Sequence, residues 1–135
     1  MKNIKTFKNY TLNRIENEFE KMKSHKIGDI ISYTTLYNYV DAMHNMEMDN
    51  DFIKDYILTY SNFKLCKLLL KDIGLDSTDP VLVNDYLKIY GETNWYPPII
   101  YDKNEHMIID GYHRAEAIDN SGEKYILAWC GNKLM

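Results

Sequence analysis

The sequence predicts an α+β fold: a helical segment over residues 1–91 packed on a small β-hairpin–helix–strand unit over residues 92–135, together forming one compact domain. Three observations lead there. Up to Gly91, apolar residues recur at spacings of three and four between charged ones, the pattern of amphipathic helices. After Gly91, the pattern changes to short runs of β-formers parted by turn residues. The length of 135 residues, 45% hydrophobic and 27% charged, suits one core, since single cores are built from about 100 to 150 residues.

The elements follow in order. Leu12, Ile15, Phe19 and Met22 predict a helix over Tyr10 to Lys23, with Thr11 as its cap. Gly28 marks a connection that includes a short extended piece at Ile30-Ile31. Thr34 and Thr35 offer the cap of a second helix with Leu36, Tyr37, Val40 and Met43 on one face. Asp49 or Asn50 caps a third, with Phe52, Ile53, Tyr56, Ile57 and Tyr60 inward. A fourth helix is expected from Ser61, apolar on more than one side through Phe63, Leu65, Cys66, Leu68 and Leu69, hence central and ended by Gly74. Asp79-Pro80, a capping Asp followed by Pro at the first helical position, opens a fifth that runs to Tyr90.

Beyond Gly91, Pro97 and Pro98 fix an extended entry, because Pro lacks a donor for a strand ladder. Ile99-Ile100-Tyr101 and Met107-Ile108-Ile109 flank a polar stretch and predict a β-hairpin. Asp110-Gly111 then turns the chain into a short helix from Tyr112 to Asn120. Gly122 ends that helix, and Tyr125 to Trp129 returns as a strand.

Charge narrows the function classes. A net charge of −4 and a pI near 5.5 argue against a domain devoted to sequence-independent DNA binding, which needs Lys and Arg facing phosphates, while leaving room for a local basic pocket. No apolar run reaches the 18 to 20 residues that span a membrane, and the first residues precede no apolar signal core, so a cytoplasmic protein is expected. Cys66 and Cys130 are too few and too far apart in sequence for a disulfide framework or a zinc site and are expected as reduced, buried thiols. The wealth of Ile, Lys, Asn and Tyr against scarce Ala, Gly and Pro is a bias of AT-rich coding DNA, as in low-GC bacteria and their phages.

The stretch Ile108 to Ala117 carries the chemistry. A buried strand ends in Asp110-Gly111, and a helix begins at once with His113 and Arg114 in its first turn. Free N–H groups and the positive end of the helix dipole favour an anion there. Gly111 lets a ligand approach the backbone closely. Arg114 can clamp phosphate oxygens, and His113 can donate a hydrogen bond or shuttle a proton. Two cations in a first turn disfavour the helix by up to about 1 kcal/mol, which points to a resident anion. The competing reading is structural: Asp110 caps the helix, worth about 1 kcal/mol, and Arg114 pairs on the surface with Asp102, Glu116 or Glu123.

Tyr96-Pro97-Pro98-Ile99-Ile100-Tyr101, the hairpin, Ile109 to Ala117, Gly122 and the closing strand together resemble the ParB/sulfiredoxin superfamily, from about Trp95 to Gly131. The resemblance implies that Gly111, Tyr112, His113 and Arg114 hold the phosphates of a nucleotide or nucleic acid. It implies nucleoside triphosphate and magnesium as cofactors, and NTPase, kinase or nuclease activity as the reaction class. Asp110 is then the candidate magnesium ligand or base, and His113 and Glu116 the further catalytic candidates, with Asp102 a second choice beside Glu116. Departures matter as well. Tyr112 stands where sulfiredoxins carry their reactive Cys and ParB an acidic residue, so neither sulfiredoxin nor partition chemistry is expected.

Other signals point to structure. Glu47, Asp49 and Asp51 lack the Gly of an EF-hand loop, since Lys54 stands in its place. His106 and Asp110 share a strand face in this reading and could join His113 at a metal, but no third ligand is fixed. His25 and His44 are expected at the surface, and Met43, Met46 and Met48 as filler. Trp95, Tyr96, Tyr101 and Tyr112 could stack a base, although at least two should pack between hairpin and helix. The second function class is a small acidic phage or mobile-element protein that binds and blocks a host DNA-processing or defence protein without catalysis.

Overall fold

The computed structural model describes residues 17–43, 51–73 and 95–132. Residues 17–23 are helical (α1). They are followed by β1 (Ile30–Ser32), α2 (Tyr33–Met43), α3 (Asp51–Ile57), β2 (Asn62–Leu69), a single 3₁₀ turn at Leu70–Asp72, β3 (Ile99–Asp102), β4 (Met107–Asp110), α4 (Tyr112–Asn120) and β5 (Tyr125–Asn132). The expected caps Thr11, Asp49 and Asn50, the ending Gly74, the helix from Asp79 to Tyr90, Gly91 and His44 lie outside the described residues.

The five strands form one sheet in the order β1-β2-β5-β3-β4. All neighbours are antiparallel except β3 and β5, which run parallel with Ile99 opposite Ala128 and Tyr101 opposite Cys130. A parallel pair needs a crossover; here β4 and α4 provide it. The protein is therefore a mixed α+β structure built on one mixed sheet, which takes strands from both sides of Gly91.

The fourth expected helix is a correction. Residues 62–69 form β2, which pairs along its whole length with β5, Asn62 opposite Asn132 and Leu69 opposite Tyr125. Leu and Lys favour helix, and Leu68 and Leu69 extend the apolar run. The two-residue alternation wins: Phe63 and Leu65 are buried while Lys64 between them is exposed. Ser61, expected to cap a helix, offers its carbonyl to the N–H of Tyr33 instead.

The sheet is covered on both faces. On one, Met22 of α1, Leu36, Tyr39 and Val40 of α2 and Ile57 of α3 pack with Ile31, Phe63, Leu65, Ile100 and Trp129. On the other, Ala115 and Ile118 of α4 meet Ile99, Tyr101, Ile108, Ile126, Ala128 and Cys130. Burial on both sides explains why β3 reads as a continuous apolar run rather than an alternating one. Phe52, expected inward, is exposed, because the face that α3 turns to the core carries Ile53, Tyr56 and Ile57.

The cap of α2 also differs from the expected Thr34 or Thr35. The N–H of Thr35 donates to Ser32 Oγ at 3.2 Å, so the last residue of β1 closes the helix that follows. Ser32→Ala is expected to lower the unfolding free energy by about 1 kcal/mol, the usual cost of a lost cap, measured as a shift in urea midpoint at unchanged slope.

Candidate phosphate-binding corner

β4 delivers Asp110 to the corner, buried at the end of the strand. Gly111 follows with φ 106° and ψ 25°, a left-handed conformation that carries the chain from strand to helix with no linker. Its carbonyl accepts the first helical bond of α4 from the N–H of Ala115 at 2.9 Å. A methyl group at Gly111 would stand 2.5 Å from Ile99 Cγ2 and 2.8 Å from Arg114 Nη2, so β3 and the arginine close tightly on this position.

Gly111, which has no side chain to offer, occupies the cap position of α4. The Asp110 carboxylate lies beside Arg114, Oδ2 to Nη2 at 3.8 Å, with both side chains more than nine-tenths buried.

Arg114 is the largest departure from expectation. It does not reach across the surface toward Asp102, Glu116 or Glu123; it points inward, 4% exposed, and Nη2 donates to the Pro98 carbonyl at 3.3 Å. Its Nε is buried with no hydrogen-bond partner among the described residues. A buried guanidinium is costly unless its charge and donors are matched. Here one carboxylate stands just beyond hydrogen-bond reach and one donor is unspent. Arg114 therefore acts as a fixed charge beneath the start of α4, not as an exposed fork.

Around it, His113 and Tyr112 are half-buried in the first turn and Glu116 half-buried at the start of the second. Asp102, the second-choice carboxylate, is taken up by structure: Oδ1 accepts from the N–H groups of Asn104 and Glu105 at 2.9 and 3.2 Å and builds the hairpin turn. His106 sits in that turn with φ 53°, outside β4, so it does not share a strand face with Asp110. Among the described residues, no group of three His, Cys, Asp or Glu side chains is arranged to hold a metal.

The four aromatics near the motif all pack on the core. Tyr101 is buried in the α4-side cluster, Tyr96 and Tyr112 lie against it, and Trp95 meets Phe19 edge-on at 6.3 Å on the opposite side. His25, expected at the surface, is packed edge-on against Trp129 at 5.2 Å, with its Nε2 2.7 Å from the Tyr39 hydroxyl. Burial pushes the Tyr39 phenol up, with Glu18 adding to it, so this hydroxyl stays protonated.

No protein-family model matches the chain, and neither a curated protein nor a solved structure does so.

What the corner can do follows from its own atoms. The first-turn N–H groups, the positive end of the α4 dipole and a buried guanidinium act in the same direction and favour an anion at the helix entrance. Asp110 opposes them in part and supplies one carboxylate. Magnesium is commonly held by one or two carboxylates together with substrate phosphates, and Asp110, at the end of β4, is a carboxylate that could serve in that way. Among the described residues, no helix is long and apolar enough to cross a membrane.

Proposed function

We propose that the corner from Gly111 to Arg114 binds the phosphate groups of a nucleotide or nucleic acid, and that the protein is a ParB/sulfiredoxin-like phosphate-binding protein. Magnesium-dependent phosphoryl transfer, nucleoside triphosphate hydrolysis or nucleic-acid cleavage is the chemistry such a corner would serve. The observation that carries the reading is the buried Arg114 guanidinium, with a donor unspent, beneath a helix start whose cap residue is a glycine. In a low-dielectric interior, such a charge projects a stronger field on the helix entrance than an exposed arginine does. His113 stands at that entrance to donate to a phosphate oxygen. Asp110 would hold magnesium with the phosphates, and the ion would neutralise charge on the transferred group.

Calorimetric titration with pyrophosphate, ATP, CTP and ADP, each with magnesium, tests this, followed by phosphate release from any binder. Wild type is expected to bind, and His113→Ala to bind roughly tenfold more weakly through loss of one charge-assisted hydrogen bond. Arg114→Met, which keeps much of the buried volume, is expected to lose binding while retaining its helix signal. No heat with any of these ligands, or unchanged affinity in a folded Arg114→Met variant, would overturn the reading.

A second reading draws on the same arginine. Its bonds to the Pro98 carbonyl and toward Asp110 tie α4 to the entry of β3, a structural reason for an arginine at this position. A small acidic protein that blocks a host DNA-processing or defence protein could retain the corner for that purpose alone. It is distinguished by the absence of nucleotide binding together with capture of a partner that a surface charge reversal abolishes.

A further inference from the structure

The two cysteines, far apart in sequence, are brought together by the β2–β5 ladder. Cys66 stands opposite Ala128 and Cys130 opposite Lys64, so the thiols occupy diagonal positions on one face of neighbouring strands. Both are free; Cys130 is buried and Cys66 half-buried. Lys103, exposed in the β3–β4 turn, reaches over with Nζ 3.6 Å from Cys66 Sγ. A cation therefore stands beside the more accessible sulfur, where negative charge gathers when it acts as a nucleophile.

We propose that Cys66 and Cys130 form a peroxide-reactive dithiol site, with Cys66 as the attacking sulfur, Cys130 as the resolving one and Lys103 as the group that positions charge on Cys66. The Cys66 thiolate attacks one oxygen of hydrogen peroxide, the O–O bond breaks and hydroxide leaves, giving a sulfenic acid. The Cys130 sulfur then attacks the Cys66 sulfur. The S–O bond breaks, the hydroxyl group leaves as water with the proton from Cys130, and a disulfide remains. Two sulfurs are oxidised by one each and peroxide is reduced to two waters. Roles are divided by environment: burial, then the neighbouring Cys66, pushes the Cys130 thiol up to about 12, so it is no free nucleophile until an electrophilic sulfur is formed beside it.

Diagonal residues on paired strands lie about 7–8 Å apart at Cα, whereas a relaxed disulfide wants about 4.4–6.8 Å. The bond therefore draws β2 and β5 together and is strained, which makes it readily reducible. That suits a reversible mark better than a permanent staple.

Intact-mass spectrometry of the full chain after exposure to a small excess of hydrogen peroxide tests the proposal. Wild type is expected to lose the mass of two hydrogens as a monomer and to regain it with dithiothreitol. Cys130→Ala is expected to gain one oxygen at Cys66, captured by a dimedone-type probe. Lys103→Met, an exposed change that leaves the fold intact, is expected to form the disulfide roughly tenfold more slowly, the loss of one charge-assisted hydrogen bond. Wild type that gains oxygen instead of losing hydrogen, that cross-links only between chains, or that reacts at the same rate with and without Lys103 overturns it. The wild-type measurement decides the disulfide even where the Cys130 variant does not fold.

Discussion

Trp129→Ala is expected to lower the unfolding free energy by about 3–5 kcal/mol, the range for deleting a buried large aromatic, and so to remove much of the about 5–15 kcal/mol that stabilises a typical domain. Trp129 is 1% exposed in the middle of the sheet, opposite Leu65 on one side and Ile100 on the other. Its loss opens a cavity where strands from both halves of the chain meet. It also removes the ring on which His25 rests edge-on and thereby loosens the His25–Tyr39 contact that ties the connection after α1 to α2. Trp129→Phe, which retains a ring against His25, is expected to lose less than half as much. Urea unfolding followed by far-ultraviolet circular dichroism gives both values, provided the slope is unchanged between variants.

Gly111→Ala is expected to cost about 2–5 kcal/mol. Two terms add. A left-handed backbone costs a side-chain-bearing residue about 1–2 kcal/mol, and the added carbon drives into Ile99 and the Arg114 guanidinium, an overpacking worth about 1–3 kcal/mol. Gly122 supplies the control. It shares the left-handed conformation at φ 90° but has nothing within 4 Å of an added carbon, so Gly122→Ala should show the backbone term alone. The difference between the two unfolding energies isolates how tightly β3 closes on the corner. A difference near zero would mean that Ile99 and Arg114 give way freely, and that the corner is looser than its distances indicate.

The hairpin, the strand-to-helix turn and the closing strand were legible because each is written locally: β-formers around a polar turn, Asp-Gly before a helix, and Gly122 after it. The short piece at Ile30-Ile31 was legible for the same reason. Residues 62–69 were not, because their Leu and Lys content favours helix, and the short alternation at Phe63 to Leu65 decides for a strand only with the partner β5, remote in sequence, beside it. That error also separated the cysteines, since a helix would not have placed Cys66 beside Cys130. At the corner, residue identities could show that a charge would be present but not which way it faced. The burial of Arg114 depends on a free carbonyl at Pro98, and no pattern of side chains announces a carbonyl. Likewise, Asp102 read as a candidate carboxylate because its two backbone donors, Asn104 and Glu105, become visible only once the turn is formed.

The order of the sheet carries a consequence for how the chain reaches this structure. β5 is the last of the described strands, yet it lies between β2 and β3, and residue 62 pairs with residue 132. Until β5 docks, β2 and β3 each present an unpaired edge, and neither hydrophobic layer can close. Closing such distant pairs is entropically expensive, so the rate-limiting step should be the insertion of β5 rather than formation of any helix. During synthesis the earlier strands would wait with open edges, the condition under which intermediates associate with one another or are held by chaperones.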